Sequence, residues 1–326
     1  MGDPYRGRLA PSPTGFLHLG HARTFWIAQQ RAHLFGGTLL LRDDDLDRSR
    51  SRTVFAEAQL EDLRWFGLRW SEGPDIGGPY APYRQSQRLA HYTDAFHRLR
   101  NDGWIYPCYC SRKDIQAAVS APHAADDEPI YPGICRPSKP RIVCTSARLA
   151  HWRFRVPDGE VCSFIDAAFG NVERVAGRDF GDFVVWRQDG VPSYQLACIV
   201  DDVAMQITEV VRGADLLIST LRQQLLAQAL GVRSPRYYHC PLWCDENGVR
   251  LAKRHAAMSL RSLREAGWTP EQLRTCPEFT DFMGPICPIG LIPAPDHGAH
   301  HPPVACSGTG LPTRDTQTAT PNRDAA

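Results

Sequence analysis

The sequence predicts an α/β fold built on a parallel sheet, and three observations carry that prediction. Residues 7–42 read as strand, glycine-bearing turn, helix and strand, which is one βαβ unit. Residues 182–213 give a strand, a turn, a helix and an apolar strand that ends in Arg212-Gly213. Between these runs, two helices are followed by short strand patterns that alternate with turns. Sheets of this kind bind ligands beyond the carboxyl ends of their strands, so the residues that follow each strand are the ones to watch.

At 326 residues the chain has room for one large domain or two. Its 43% hydrophobic and 22% charged content is that of an ordinary soluble globular protein. A formal net charge of +1 excludes a strong overall pull toward nucleic acid, so any such binding must rest on a local basic face. No apolar run approaches the roughly 18 residues of a membrane-spanning helix. The opening MGDPYRGR lacks the apolar core of a signal peptide. The expectation is a cytoplasmic protein with no membrane partner.

The first strand, 7–10, enters a segment punctuated by Pro11, Pro13 and Gly15. His18-Leu19-Gly20-His21 follows, then a helix over 22–34 ended by Gly36 and Gly37, then a fully apolar strand over 38–42. A helix start offers free N–H groups and the positive end of the helix dipole, which suits a polyphosphate. Gly20 would let backbone or nucleotide approach closely, and His18 and His21 can both donate to phosphate oxygens. Taken alone, two histidines at a helix start are more often surface or capping residues. After the second strand come Asp43, Asp44, Asp45 and Asp47, which either chelate Mg²⁺ or form a solvated loop.

Residues 53–66 form an amphipathic helix stopped by Gly67, and a turn-rich segment leads into a second helix over 87–101. Cys108 and Cys110 then stand in a C-x-C, a geometry that holds Zn²⁺ given two more ligands. Cys135 is a natural third ligand, and chemistry alone leaves the fourth between His123 and Cys144. Cys240 and Cys244 lack a second pair at zinc spacing, and Cys198 reads as a small core residue. Short strand patterns alternate with turns over 147–182, as in a small inserted domain.

In the second half, a strand over 182–187 and a turn lead to a helix over 193–202 with Ser193 as N-cap. An apolar strand over 205–211 ends at Arg212, whose side chain is shaped for a carboxylate. The plainer alternatives are a surface salt bridge from Arg212 to Asp215 and a core role for the Tyr194 ring. Asp201 and Asp202 read as helix-end charges. A helix over 219–230 is closed by Gly231, a basic loop over 248–254 contains Lys253, and a helix follows over 258–266. Residues 285–326 are rich in Pro, Thr, Gly and His without periodicity, the composition of a disordered tail.

Several of these motifs resemble one family. APSPTG, LHLGHARTF and LRDDDLDR resemble the HIGH region of class I aminoacyl-tRNA synthetases in the form carried by their glutamyl branch. DGVPSYQLACIVDD and TEVVRGADL resemble the same branch, and RLAKR resembles its KMSKS loop with Arg250 and Ala252 as departures. The C-x-C followed by Y-x3-C is similar to that of the glutamyl-Q tRNA(Asp) synthetases, whose zinc is held by three cysteines and that tyrosine. The resemblance covers about residues 6 to 275.

That resemblance implies a class I synthetase Rossmann-like parallel sheet with an inserted zinc-containing acceptor-type domain and no anticodon-binding domain. The implied division is a first catalytic half over 1–105, the insert over 106–181, a second catalytic half over 182–284 and the tail over 285–326. It implies glutamate binding by Arg8, Leu9, Ala10, Pro11, Ser12, Asp44, Tyr194 and Arg212, with Arg8 and Arg212 on the carboxylates and Asp44 on the ammonium. The branch usually has glutamate where Asp44 stands. It implies ATP binding by His18, Gly20, His21 and Lys253, with His18, His21 and Lys253 catalytic, and a zinc site of Cys108, Cys110, Tyr131 and Cys135. The implied activity is ATP-dependent formation of glutamyl-adenylate without tRNA, with Mg²⁺, followed by transfer of glutamate to the queuosine base at the wobble position of tRNA(Asp), by a monomer. A truncated glutamyl-tRNA synthetase and a non-catalytic tRNA- or nucleotide-binding paralogue are the alternatives.

Overall fold

The computed structural model describes residues 3–111, 113–115, 130–138, 150–242, 259–275 and 279. Strands β1 (Arg6–Leu9) and β2 (Thr38–Leu41) pair in parallel, Arg6 opposite Thr38 and Leu9 opposite Leu41. Helix α1 (Leu19–Leu34) joins them, completing the expected βαβ unit. It starts three residues earlier than the apolar pattern suggested. His18 takes the extended N-cap conformation, and its carbonyl accepts from the N–H groups of His21 and Ala22. Gly37 makes the return to β2 possible: a Cβ there would lie 2.4 Å from the Tyr5 carbonyl oxygen.

Helix α2 (Thr53–Phe66) ends at Gly67, whose φ of 99° is the left-handed cap that glycine supplies most cheaply. After α3 (Leu89–Asn101) come β3 (Ile105–Cys108), β4 (His151–Phe154) and the hairpin of β5 (Val161–Asp166) and β6 (Gly170–Val175). Strand β7 (Phe183–Trp186) joins β4 and β3 in an antiparallel sheet, with Phe154 opposite Phe183. It therefore pairs with the strands that precede it rather than with the parallel pair.

Helix α4 (Tyr194–Ala204) carries the expected Ser193 cap, whose hydroxyl accepts from the Leu196 N–H. The strand expected over 205–211 lies at β8 (Glu209–Gly213) instead. The reason is local: α4 runs on to Ala204, and Gln206 at φ 55° turns the chain before extension can begin. Helix α5 (Leu217–Leu230) and β9 (Arg236–Cys240) follow, then the short α6 (Leu260–Glu265) and α7 (Pro270–Thr275). The second sheet has the order β6-β5-β9-β8, with β5 antiparallel to β6 and β9 parallel to both β5 and β8.

Polar contacts join the halves at the parallel pair. The Thr208 N–H donates to the Arg6 carbonyl at 2.9 Å, setting β1 beside the start of β8. Arg31 on α1 makes two hydrogen bonds to the Glu209 carboxylate, 2.6 and 2.8 Å, and the Tyr5 hydroxyl donates to it at 3.1 Å. A buried pair of this sort adds little net stability, but it fixes one placement of α1 against β8. Two large apolar cores each draw on both halves: one gathers Phe96, Trp152, Phe154, Leu196 and Leu225, the other Leu9, Leu41, Leu63, Phe66 and Leu260. Among the described residues, no helix is long and apolar enough to cross a membrane.

Candidate active site

One cavity of about 910 Å³ lies where β1, the start of α1 and the end of β8 converge. Its lining includes Arg8, Ala10, Pro11, Ser12, His18, Gly20, His21, Asp44, Tyr194 and Arg212. Residues drawn from three separate stretches of sequence thus meet in one space. Leu9 is the exception, its side chain turned away from the cavity. Side chains alternate along a strand, so Arg8 and Ala10 face the cavity while Leu9, fully buried, joins the core. Lys253 lies outside the described residues, as do His123, Cys144, Cys244 and the stretch 285–326.

At the end of the cavity where α1 starts, the His18 and His21 rings stack with centroids 3.7 Å apart, and the His18 backbone N–H donates to His21 Nδ1 at 3.4 Å. Burial lowers the pKa of both rings, and the neighbouring His18 further disfavours a charge on His21, so they are neutral hydrogen-bonding groups. Gly20 sits against this pair: a Cβ there would come 3.0 Å from His18 Cε1. The turn before it is braced by a residue that no motif marked, Gln59 of α2, which donates to the carbonyls of Ser12 and Gly15 at 2.9 and 3.0 Å. The described residues on either side of 243–258 also come to this end, since Leu242 lines the cavity and the Leu260 N–H donates to the Leu17 carbonyl at 2.7 Å.

At the other end stands Arg212, buried rather than at the surface. Its guanidinium donates to Thr220 Oγ1 at 2.7 Å, Gln223 Oε1 at 2.9 Å and His239 Nε2 at 3.2 Å. Two longer contacts, both 3.4 Å, go to Tyr194 Oη and the Leu216 carbonyl. A carboxylate ligand would displace these two first. Tyr194 is 40% exposed toward the cavity, so the core-ring alternative does not hold. Arg8 donates to the Val211 carbonyl at 2.9 Å, and its buried Nε has no hydrogen-bond partner.

Beneath the cavity lies a network of buried charges. Asp201 and Asp202, expected as helix-end charges, do lie near the end of α4, and both are buried and paired. Arg42, fully buried, makes two hydrogen bonds to Asp44 at 2.6 and 3.2 Å and one to Asp202 at 2.7 Å. Asp201 accepts from Arg88 Nε and the Tyr92 hydroxyl, each at 2.6 Å, and from Gln85 Nε2 at 2.9 Å. Arg8 Nε lies 3.5 Å from Asp202. Three guanidiniums thus face three carboxylates with no net charge. Burial works against a charged Arg42, yet Asp44, Asp202 and Asp201 together hold its pKa well above the ordinary value. Asp44 lines the cavity as expected, but its carboxylate is already engaged by Arg42.

The tRNA synthetases class I (E and Q), catalytic domain, match this chain over residues 5–277. The chain belongs to that class I family. It is 47% identical over 298 residues to the glutamyl-Q tRNA(Asp) synthetase of Symbiobacterium thermophilum, covering 89% of this chain and 92% of that protein. It is 48% identical over 266 residues to the enzyme of the same name from Nitratidesulfovibrio vulgaris, covering 80% and 82%. Among solved structures, the glutamate-tRNA synthetase from Elizabethkingia anophelis superposes with a TM-score of 0.67 at 28% identity, over 82% of this chain and 54% of that one. The fold is therefore the class I synthetase catalytic fold with a mixed α/β sheet.

In this class I chain, a second group of side chains gathers at the end of β3. The sulfurs of Cys108, Cys110 and Cys135 lie within 4.8 Å of one another. The Tyr131 hydroxyl is 3.4 Å from Cys108 Sγ and 3.6 Å from Cys110 Sγ, and Cys110 Sγ is 3.6 Å from Cys135 Sγ. A tetrahedral zinc with sulfur about 2.3 Å away requires ligand separations of about 3.7 Å, so this donor set fits the ion. Arg153 adds a cation that the sequence did not flag. Its Nε is 3.3 Å from Cys108 Sγ and its guanidinium carbon lies 4.0 Å over the Tyr131 ring.

Asp43, the neighbour of Asp44, gives a pH-dependent expectation. Burial and the charge of Asp45 raise its pKa to about 7, and its Oδ1 is buried without a partner. A carboxyl whose folded pKa exceeds its unfolded value contributes stability below about pH 4 and loses it as pH rises toward 7. Asp43→Asn is therefore expected to stabilise the protein by roughly 2 kcal/mol at pH 8 and by almost nothing at pH 4. Thermal melts of both proteins at the two pH values check this.

Proposed function

We propose that the protein activates L-glutamate with ATP, without tRNA, and then transfers the glutamyl group to the queuosine base at the wobble position of tRNA(Asp). The observation that carries this reading is the 47% identity to a glutamyl-Q tRNA(Asp) synthetase over 298 residues. The cavity supports it physically. Arg8 and Arg212 supply cationic donors to its lining, Asp44 a carboxylate, and His18, Gly20 and His21 a helix start. In this reading Arg8 and Arg212 bind the glutamate carboxylates, while Ser12 and the Ala10 backbone add hydrogen bonds. Asp44 Oδ1 keeps a lone pair beyond the one given to Arg42 Nε, and the ammonium takes it.

The α-carboxylate oxygen then attacks the α-phosphorus of ATP, which enters with Mg²⁺. A carboxyl–phosphate bond forms, the α–β anhydride bond breaks, and pyrophosphate leaves. His18 and His21, held neutral, donate to phosphate oxygens as negative charge grows there, and Lys253 completes the set from the KMSKS-type loop. Transfer of the acyl group to the queuosine base releases AMP. The division into two catalytic segments around an insert, over 1–105, 106–181 and 182–284, belongs to the same reading.

Cys108, Cys110, Tyr131 and Cys135 would hold a structural zinc, which ties the start of the insert to β3 and supplies no reaction chemistry. Protein purified without chelators is expected to carry close to one zinc per chain, and Cys135→Ser to lose it and melt at lower temperature. A metal content near zero in the parent protein would remove the site.

Glutamate-dependent exchange between ATP and labelled pyrophosphate, in the absence of tRNA, tests the activation step. Exchange that needs tRNA, or that is equal with glutamate and aspartate, would contradict the reading.

A further inference from the structure

Arg212 is anchored from the side away from the cavity by residues that none of the sequence motifs marked. Asp166, at the end of β5, accepts from His239 Nδ1 at 2.6 Å and from the His239 N–H at 3.2 Å. The same carboxylate accepts from the N–H groups of Ala168 and Phe169, 2.9 and 3.0 Å, and so caps the turn between β5 and β6. His239 itself sits on β9 opposite Arg212 on β8, and both His239 and Asp166 are buried. A guanidinium has donors only, so the 3.2 Å contact from Arg212 Nε requires a lone pair on His239 Nε2. The proton must then be on Nδ1, where the Asp166 carboxylate receives it.

We infer that Asp166 and His239 are positioning residues for Arg212: they fix the imidazole tautomer that holds Nε, and leave the Nη edge turned to the amino-acid pocket. The same ring also meets Thr220 Oγ1 at 3.1 Å, so α5 and β9 grip the guanidinium together. A protonated His239 would set a cation against Arg212, and burial together with that neighbour keeps the imidazole pKa below its ordinary value. Because Asp166 also caps the β5–β6 turn, the hairpin and the pocket share one carboxylate. The inference rests on the glutamate reading above for its kinetic consequence, but not for its geometry.

Two measurements on the full chain test it. In pyrophosphate exchange, Asp166→Asn and His239→Leu are expected to raise KM for glutamate about tenfold or more while KM for ATP stays within about twofold. His239→Gln, which can offer Oε1 to Arg212 in place of Nε2, should recover part of that loss. Equal increases in both KM values, or an unchanged KM for glutamate, would overturn the positioning role. The second measurement needs no turnover: ¹⁵N spectra of the histidine rings should show His239 as the neutral Nδ1–H form between pH 6 and 8. An Nε2–H ring or an imidazolium in that range would refute the inference. A parent protein inert in exchange, yet with the Nδ1–H ring, would refute the glutamate reading alone.

Discussion

Arg212→Leu is expected to reduce kcat/KM for glutamate in pyrophosphate exchange by about a thousandfold or more, with the loss concentrated on glutamate rather than ATP. The physical ground is the isolation of this guanidinium from solvent and the completeness of its hydrogen bonding to Thr220, Gln223 and His239. A charge held there is already oriented, so a carboxylate that replaces the long contacts to Tyr194 and Leu216 gains a charge-assisted pair at low reorganisation cost. Removing one member of a buried charged pair costs about 3–5 kcal/mol, which is the source of the expected factor. Arg212→Lys separates charge from shape. Lysine keeps the charge but not the fork, so an intermediate loss of about ten- to a hundredfold is expected. Steady-state kinetics with each substrate varied in turn measures both. A leucine variant with a near-normal KM for glutamate would take Arg212 out of the amino-acid site.

The largest expected effect on stability falls at Asp201. Alanine there removes the acceptor of Arg88, Tyr92 and Gln85 at once and leaves buried donors without partners. The expected destabilisation is about 3–5 kcal/mol, or a fall in Tm of roughly 10 °C. Asp201→Asn keeps the shape and one acceptor, so its fall should be smaller. Thermal unfolding followed by circular dichroism decides the matter. A Tm for Asp201→Ala within about 2 °C of the parent would mean that the network under the cavity carries little of the fold.

Much of the architecture was legible because it is local. The βαβ unit, the Ser193 cap and the stop at Gly67 each depend on a few adjacent residues whose backbone preferences are strong. The pocket residues Arg8, Asp44, Tyr194 and Arg212 were legible through motifs, and they do line one cavity. That the Leu9 side chain joins the core was not legible from a motif, which names a run of residues, whereas a strand turns only every second side chain to one face. The pairing of Asp201 and Asp202 was not legible, because a carboxylate near a helix end does not reveal its partners. Those partners, Arg42 and Arg88, lie more than a hundred residues away in sequence. His239 and Asp166 stayed invisible for the same reason, being brought together only when β5 and β9 pair. The extent of β8 turned on one residue, Gln206, in a conformation that no propensity favours.

The measurement that bears most directly on the proposed function is transfer of labelled glutamate to tRNA(Asp) with and without queuosine, using the whole chain and ATP. Label is expected on the queuosine-containing tRNA(Asp) alone, attached to the modified base. Equal labelling of the unmodified tRNA(Asp), or glutamate on the terminal ribose of tRNA(Glu), would contradict it.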